Sequence, residues 1–324
     1  DDRSGTASTG VEGQPTAVPA SRPTMKRFRQ ILFASLGTAN RAPAALDDAV
    51  ALADRNDASL TVLGIAAAPP AQQRGLRLPG RRDRIADVLA AELTARLDAW
   101  TEPYTGNDIT VHVEVGDPPV DIVRYLIANE HDLLIVAGDN ADSAATIRRL
   151  LRLCPAPVWV LRPGHEGGRV LAAVDPDDDP HLNDLIVQLA QSQAQLRDGE
   201  LHVAHAWELH GETILATSEY LPVPGPLLAQ LAEQTETAHR RAFRDTIERS
   251  GIGPHHQHVV NGTPTQAIIG LLHLYRIDLL VMGSIGRAGI EGIVIGNTAE
   301  SLFAKVLCSV LVLKPPGFES PIRR

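Results

Sequence analysis

Short, fully apolar runs alternate with amphipathic stretches along this chain, and the alternation passes twice through one plan. Ile31-Leu32-Phe33-Ala34-Ser35 reads as a first strand, and Val170-Leu171-Ala172-Ala173-Val174 is its echo. Leu46 to Arg55 and Leu182 to Gln193 read as helices. Ser59 to Ile65 and Leu201 to Trp207 are second strands. Ile85, Val88, Leu89, Leu93, Leu97 and Trp100 recur at helical spacing and make one apolar stripe. The second half answers with a helix from about Leu228 to Arg249. Third strands, Ile109 to Val115 and His256 to Val260, each lead into a glycine-proline turn, Gly116-Asp117-Pro118 and Gly262-Thr263-Pro264. A helix follows each turn. Then Asp132-Leu133-Leu134-Ile135-Val136 is matched by Asp278-Leu279-Leu280-Val281-Met282, and final strands Val158 to Leu161 and Val310 to Leu313 close the halves.

Gly116 and Gly262 are 146 positions apart, and so are Asp132 and Asp278. Two independent anchors on one offset indicate an internal duplication. Continuous apolar strands alternating with helices predict parallel sheets covered on both faces. The expected fold class is α/β, with two tandem Rossmann-like domains, each a five-stranded, mostly parallel sheet flanked by helices. The expected boundaries are a disordered tail over 1–25, a first domain over 26–163, a linker over 164–168, a second domain over 169–318 and a tail over 319–324.

The 324 residues leave room for about two domains of ordinary size, and aromatics are scarce at 4%, so Leu, Val, Ile and Ala must supply the core. A net charge of −9 argues against a general binder of nucleic acid or anionic membrane. No apolar run is long enough to span a bilayer, and the first residues lack the apolar core of a signal peptide. Cys154 and Cys308 are too few for a disulfide framework. A reducing cytoplasm is the expected location.

The candidate chemistry lies after the fourth strand of the second half. Asp278 to Met282 runs into a glycine-rich stretch that ends in Gly296-Asn297-Thr298-Ala299-Glu300, where Asn297 or Thr298 can cap a following helix. A strand, a glycine loop and a helix start form a phosphate site: glycine lets backbone approach an anion, and unpaired N–H groups point at it with the helix dipole behind them. In such sheets ligands sit beyond the carboxyl ends of the strands.

The spacing Gly283, two residues, Gly286, nine residues, Gly296 resembles the nucleotide loop of the universal stress protein family. The match continues to Cys308-Ser309-Val310-Leu311-Val312-Leu313-Lys314-Pro315, and the segment looks like the second half of a tandem, E-type member. Asn297 stands where that family usually has Ser or Thr. The resemblance implies the HUP-type version of the Rossmann-like fold. It also implies ATP or ADP in the second domain, Mg²⁺ accompanying the phosphates, and an intramolecular pseudo-dimer through the final strands, with a further homodimer conceivable. It makes Met282, Gly283, Gly286, Gly296, Asn297 and Thr298 nucleotide contacts. Arg287 would neutralise phosphate charge, Asp175 would meet the adenosine portion, and Val203 would lie against adenine. Each has a plainer reading: glycines that permit turns, Asn297 with Glu300 as a capping box, Asp175 as one solvated aspartate of the run Asp175 to Asp179, Val203 as a buried strand residue, Arg287 as a surface charge.

The first half keeps one glycine after its fourth strand, in Gly138-Asp139-Asn140-Ala141-Asp142, and the segment to the fifth strand is six residues shorter than in the second half. Asp139 and Asp142 repel phosphate, and Leu36 replaces Asp175. The first half is therefore expected not to bind ATP in the family manner. His202, His205, His210, His255, His256 and His258 gather in the second half, and a zinc ion there is conceivable. No strict ligand spacing supports it, so histidines at the core edge are the simpler reading. Gly-Lys-Ser/Thr, Gly-x-Ser-x-Gly and His-Glu-x-x-His motifs are absent. The expected function is a nucleotide-dependent stress-response regulator. A scaffold that binds no nucleotide, a slow ATPase and a zinc-dependent hydrolase are the alternatives.

Overall fold

The computed structural model describes residues 28–36, 42–68, 84–138, 141–162, 168–209, 211, 214, 223–284, 302 and 305–322. In the first half β1 (Gln30–Ser35), α1 (Ala42–Asn56), β2 (Ser59–Ala67), α2 (Ile85–Thr101), β3 (Ile109–Gly116), α3 (Pro118–Ala128), β4 (Leu133–Ala137), α4 (Ala141–Leu153) and β5 (Val158–Leu161) follow one another. The second half continues with β6 (Val170–Ala173), α5 (Pro180–Leu196), β7 (Leu201–Trp207), α6 (Gly225–Ile247), β8 (Gln257–Asn261), α7 (Pro264–Leu274), β9 (Leu279–Gly283) and β10 (Ser309–Leu313).

The ten strands among the described residues belong to one sheet, in the order β3-β2-β1-β4-β5-β10-β9-β6-β7-β8. Pairing inside each half is parallel, from β1 with β2 and β4 to β6 with β7 and β9. The two five-stranded sheets expected from the sequence are joined by antiparallel pairing of β5 with β10, Trp159 lying opposite Leu311. The final strands of the two halves therefore meet, as the resemblance implied. Arg162 extends the seam, its N–H donating to Ser309 Oγ at 2.9 Å.

The strands are apolar on both faces because both faces are covered. Phe33, Leu46, Leu97, Trp159, Leu182, Val203 and Phe243 share one core, under α1, α2, α5 and α6. Leu32, Ile122, Leu150, Val310, Leu271 and Met282 share the other, under α3, α4 and α7.

The registers fix the equivalence of the halves. Ile31 pairs with Leu60 and Leu133, and Val170 pairs with Leu201 and Leu279. Leu36 therefore corresponds to Asp175. Leu134 pairs with Val158 and Leu280 with Val310, so the offset grows from 146 to 152 positions between the fourth and fifth strands. The shorter first-half loop lies in that interval.

The repeated anchors have physical roles. Asp132 accepts the Arg29 N–H at 2.7 Å and the Gln30 N–H at 3.1 Å, and Asp278 accepts the Arg169 N–H at 2.9 Å. Each carboxylate ties down the start of its half's first strand. Gly262 has a φ of +131°, a conformation L side chains rarely adopt, which explains glycine at that turn. Pro118 and Pro264 open α3 and α7 at the position where a missing N–H costs nothing.

Some elements differ from the sequence expectation. Helix α5 begins two residues before Leu182, because Asp179 caps it by accepting the His181 N–H at 2.8 Å and Pro180 fits its first turn. Strand β8 begins at Gln257, with His256 in a 3₁₀ turn behind Pro254. The stripe on α2 is buried at Leu93 and Leu97, yet Leu89 is 44% exposed, at the mouth of a cavity described below.

Trp159 is fully buried at the seam, so Trp159→Ala is expected to lower stability by about 3–5 kcal/mol. Guanidinium unfolding followed by circular dichroism measures it, and a midpoint equal to that of the parent protein contradicts the seam's importance. Asp278→Ala leaves the Arg169 N–H without its acceptor and is expected to cost about 1–3 kcal/mol in the same assay.

Candidate functional site

Neighbouring strands of β6 lead away on opposite sides, to β7 and to β9, so the strand order reverses beside its carboxyl end. Ala173 lies opposite Met282 and Ala204. Asp175, Gly283 and Ser284 consequently leave the sheet side by side.

Asp175 sits in a built loop. Its carboxylate accepts the Asp177 N–H at 3.2 Å, a local turn that aspartate side chains favour. The buried Asn183 side chain clamps the same residue from α5, accepting the Asp175 N–H at 3.2 Å and donating to the Asp175 carbonyl at 2.7 Å. Met282 is buried at the end of β9, and Gly283 lies against Leu182, whose methyl group would be 3.0 Å from an added Cβ. Ser284 is fully buried, and its hydroxyl has no hydrogen-bond partner among the described residues. Its N–H donates to the Leu313 carbonyl at 2.8 Å, so β9 is held to the point where the glycine-rich stretch begins. Gly286, Arg287, Gly296, Asn297 and Thr298 lie outside the described residues.

Val203 is placed elsewhere. It is 0% exposed, in the middle of β7, packed among the apolar residues under α5 and α6. The strand runs four residues further before reaching the carboxyl edge. Ala206 and Trp207 are the residues of β7 at the carboxyl edge.

An imidazole and aromatic cluster stands there instead. The His205 Nδ1 faces the Val174 carbonyl at 3.3 Å, and its Nε2 meets His239 Nδ1 at 2.9 Å. A carbonyl only accepts, so Nδ1 of His205 carries the proton and Nε2 accepts from His239. The His239 ring stacks with Trp207 at 5.7 Å between centroids, 20° from parallel. Burial lowers the His205 pKa, against the pull of the Asp175 carboxylate and the Val174 carbonyl, while His239 pushes it further down. Two mutually bonded imidazoles thus back the Asp175 loop. The sequence singled out His205 but not His239. The 146-residue offset was the available signal: it sets His239 at the place of Leu93, on the buried face of α2.

His202 belongs to a different group, because three residues of strand separate it from His205 and opposite faces result. It meets His258 Nε2 through Nδ1 at 3.0 Å, and its ring lies 4.7 Å from that of His256 and 4.6 Å from that of Tyr275. Burial, followed by the His256 and His258 rings, lowers the His202 pKa to about 4, although Glu200 opposes the shift. Among the described residues no group of three or more His, Cys, Asp or Glu side chains is arranged to hold a metal ion. The rings of the His202 group bond and stack with one another. Cys154 and Cys308 are buried free thiols pushed up to about 12 and about 11 by burial, which makes them inert.

The arrangement is that of a doubly wound α/β protein in tandem, with a switch point at the carboxyl edge of its second half. The Universal stress protein family model matches residues 27–162 and 168–314. The chain belongs to this family and carries its domain twice. It is similar to Universal stress protein E of Escherichia coli strain K12, 26% identical over 260 residues that cover 75% of this chain and 81% of that one. A protein of unknown function from Pseudomonas aeruginosa PAO1 shares the fold with a TM-score of 0.67, at 24% identity over 90% of this chain and 94% of that one. A universal stress protein from Archaeoglobus fulgidus shares it with a TM-score of 0.62, at 19% identity over 91% and 100%. No helix among the described residues is long and apolar enough to cross a membrane.

The His202 group generates a pH dependence. The unfolded chain protonates this side chain near 6.5, the folded protein only near 4. The unfolded state therefore binds the proton first as pH falls, and stability that is full above pH 6.5 is lost on the way down to pH 4. Urea midpoints are expected to fall between pH 7 and pH 5 in the parent protein and to fall less in His202→Phe. Equal slopes in the two proteins refute the assignment.

Proposed function

We propose that the second half binds ATP or ADP, with Mg²⁺ on the phosphates, and that the nucleotide state sets which partners the protein engages during stress. The observation that carries this reading is the register of β6 with β9, which brings Asp175 beside Gly283 and Ser284 at the switch point. Asp175, together with Ala206 at the end of β7, meets the adenosine portion. The glycine-rich stretch beyond Ser284 takes the phosphates through Gly286, Gly296, Asn297 and Thr298, and Arg287 offsets their charge. The Ser284 hydroxyl, without a partner among the described residues, stands at the entrance to that stretch and is suited to a phosphate oxygen or its water. Membership of the family and similarity to an E-type member support the stress role.

The role we assign is regulatory. The described part of this edge presents one carboxylate held within its own loop and two imidazoles bonded to each other, an arrangement that supports a regulatory rather than a hydrolytic reading. We take 26–163 and 169–318 as the two domains and the cytoplasm as the compartment. The two matched family segments support the division.

Calorimetric titration of ATP with Mg²⁺ tests the reading. The expected result is one nucleotide per chain for the parent protein and affinity at least tenfold weaker for Gly286→Trp, whose indole blocks the loop. Asp175→Ala is expected to weaken binding severalfold. Absence of binding by the parent protein overturns the proposal.

A further inference from the structure

We propose that the first half binds an uncharged, mostly apolar small molecule at the carboxyl end of its sheet, oriented by one hydrogen bond to the Ser35 hydroxyl. A cavity of about 340 Å³ opens there, between the ends of β1 and β2 and the helices α2 and α4. It falls within the size range of small-ligand pockets. Leu36, Ile65, Leu89 and Leu93 build its apolar walls, and Ser35 is also in the lining. Leu89 and, in an adjoining hollow, Val115 are large apolar side chains left open to solvent. Apolar area of that kind is unfavourable until something covers it.

The wall can be compared position by position with the second half. Leu36 corresponds to Asp175 and Ala66 to Trp207, by the registers of β1 with β2 and β6 with β7. Leu93 corresponds to His239 by the same offset that aligns the 3₁₀ turns Glu102–Tyr104 and Glu248–Ser250. Polar groups of the second half's edge are thus apolar in the first, and the small Ala66 leaves open the space that an indole fills at Trp207. Gly64, at the place of His205, completes the change: an added Cβ would lie 2.8 Å from Leu93, so the leucines of α2 close directly onto β2.

One exchange runs the other way. Ser35 stands where the second half has Val174. Ser35 is 5% exposed, and its hydroxyl has no hydrogen-bond partner among the described residues. A buried hydroxyl in that state is unfavourable, and a ligand atom in the cavity supplies the missing partner. The charge of the site selects a neutral ligand. Among the described lining residues the ionised groups are Glu92 and Arg96, paired with each other at 3.5 Å.

This inference does not depend on nucleotide binding in the second half. Its test is a fluorescence titration of the full chain with N-phenyl-1-naphthylamine, an uncharged, apolar probe with one N–H group. The expected result is one saturable site per chain, unaffected by ATP with Mg²⁺ and by Gly286→Trp. Leu89→Arg is expected to weaken the probe at least tenfold, and its exposed position lets the variant fold. Ser35→Ala is expected to weaken it severalfold without lowering the thermal midpoint. Absence of a saturable site, equal affinity in both variants, or displacement of the probe by ATP overturns the proposal. If ATP fails to bind in calorimetry while the probe behaves as expected, the nucleotide reading falls and this one stands.

Discussion

Antiparallel pairing of β5 with β10 is the constraint on which the rest of the structure depends. Each half ends in a strand whose residues are buried from end to end, Val158 to Leu161 and Ser309 to Leu313. Left at the edge of a separate sheet, either strand would present unpaired backbone groups and apolar side chains to water, the usual template for aggregation. Each half supplies the other's missing neighbour. The result is one sheet, two continuous cores, and two carboxyl edges whose positions follow from the same ladder. The chain beyond β10 reinforces the seam from outside: Lys314 Nζ donates to the Leu151 carbonyl at 2.6 Å, and the Ser320 hydroxyl to the Leu153 carbonyl at 2.6 Å.

Within that frame the duplicated halves have kept their scaffold and exchanged their edges. The retained residues are those that satisfy backbone. Asp132 and Asp278 accept N–H groups at the start of a strand, and proline opens α3 and α7. The exchanged residues lie at the carboxyl ends. There the second half has Asp175, His205, Trp207 and His239 where the first has Leu36, Gly64, Ala66 and Leu93. The exchanges are matched to one another: His239 bonds His205 and stacks on Trp207 in the second half, and Leu93 closes onto Gly64 in the first. A duplicated scaffold with two edges of opposite polarity is a physical route to two different ligands in one chain.

The histidines illustrate how strand alternation divides labour. His202 and His205 are three residues apart on β7 and belong to different cores. His205 bonds to His239 beside the Asp175 loop, while His202 bonds to His258 on the other face. Burial keeps both neutral near pH 7, so the aromatic and imidazole rings pack as apolar groups that also exchange hydrogen bonds.

The sequence by itself determined the class of fold, the duplication, the element order and the loss of six residues before β5. These rest on local patterning: apolar runs, helical stripes, and turns that require Gly262 or favour Pro118 and Pro264. It also placed Asp175, Met282 and Gly283 at strand ends, because the end of an apolar run is visible in one dimension. Tertiary structure decided what patterning does not encode. Val203 and Ala206 both sit on a mixed strand, and only the register with β6 and β8 tells which one reaches the edge. His239 becomes a partner of His205 only when α6 packs on β7. Leu89 belongs to a regular stripe and is nonetheless exposed, because covering a helix face requires a neighbour that the stripe cannot specify. The physical reason is common to all three: hydrophobic periodicity fixes which face of an element turns inward, whereas contacts across the sheet depend on how far each strand runs past its neighbour.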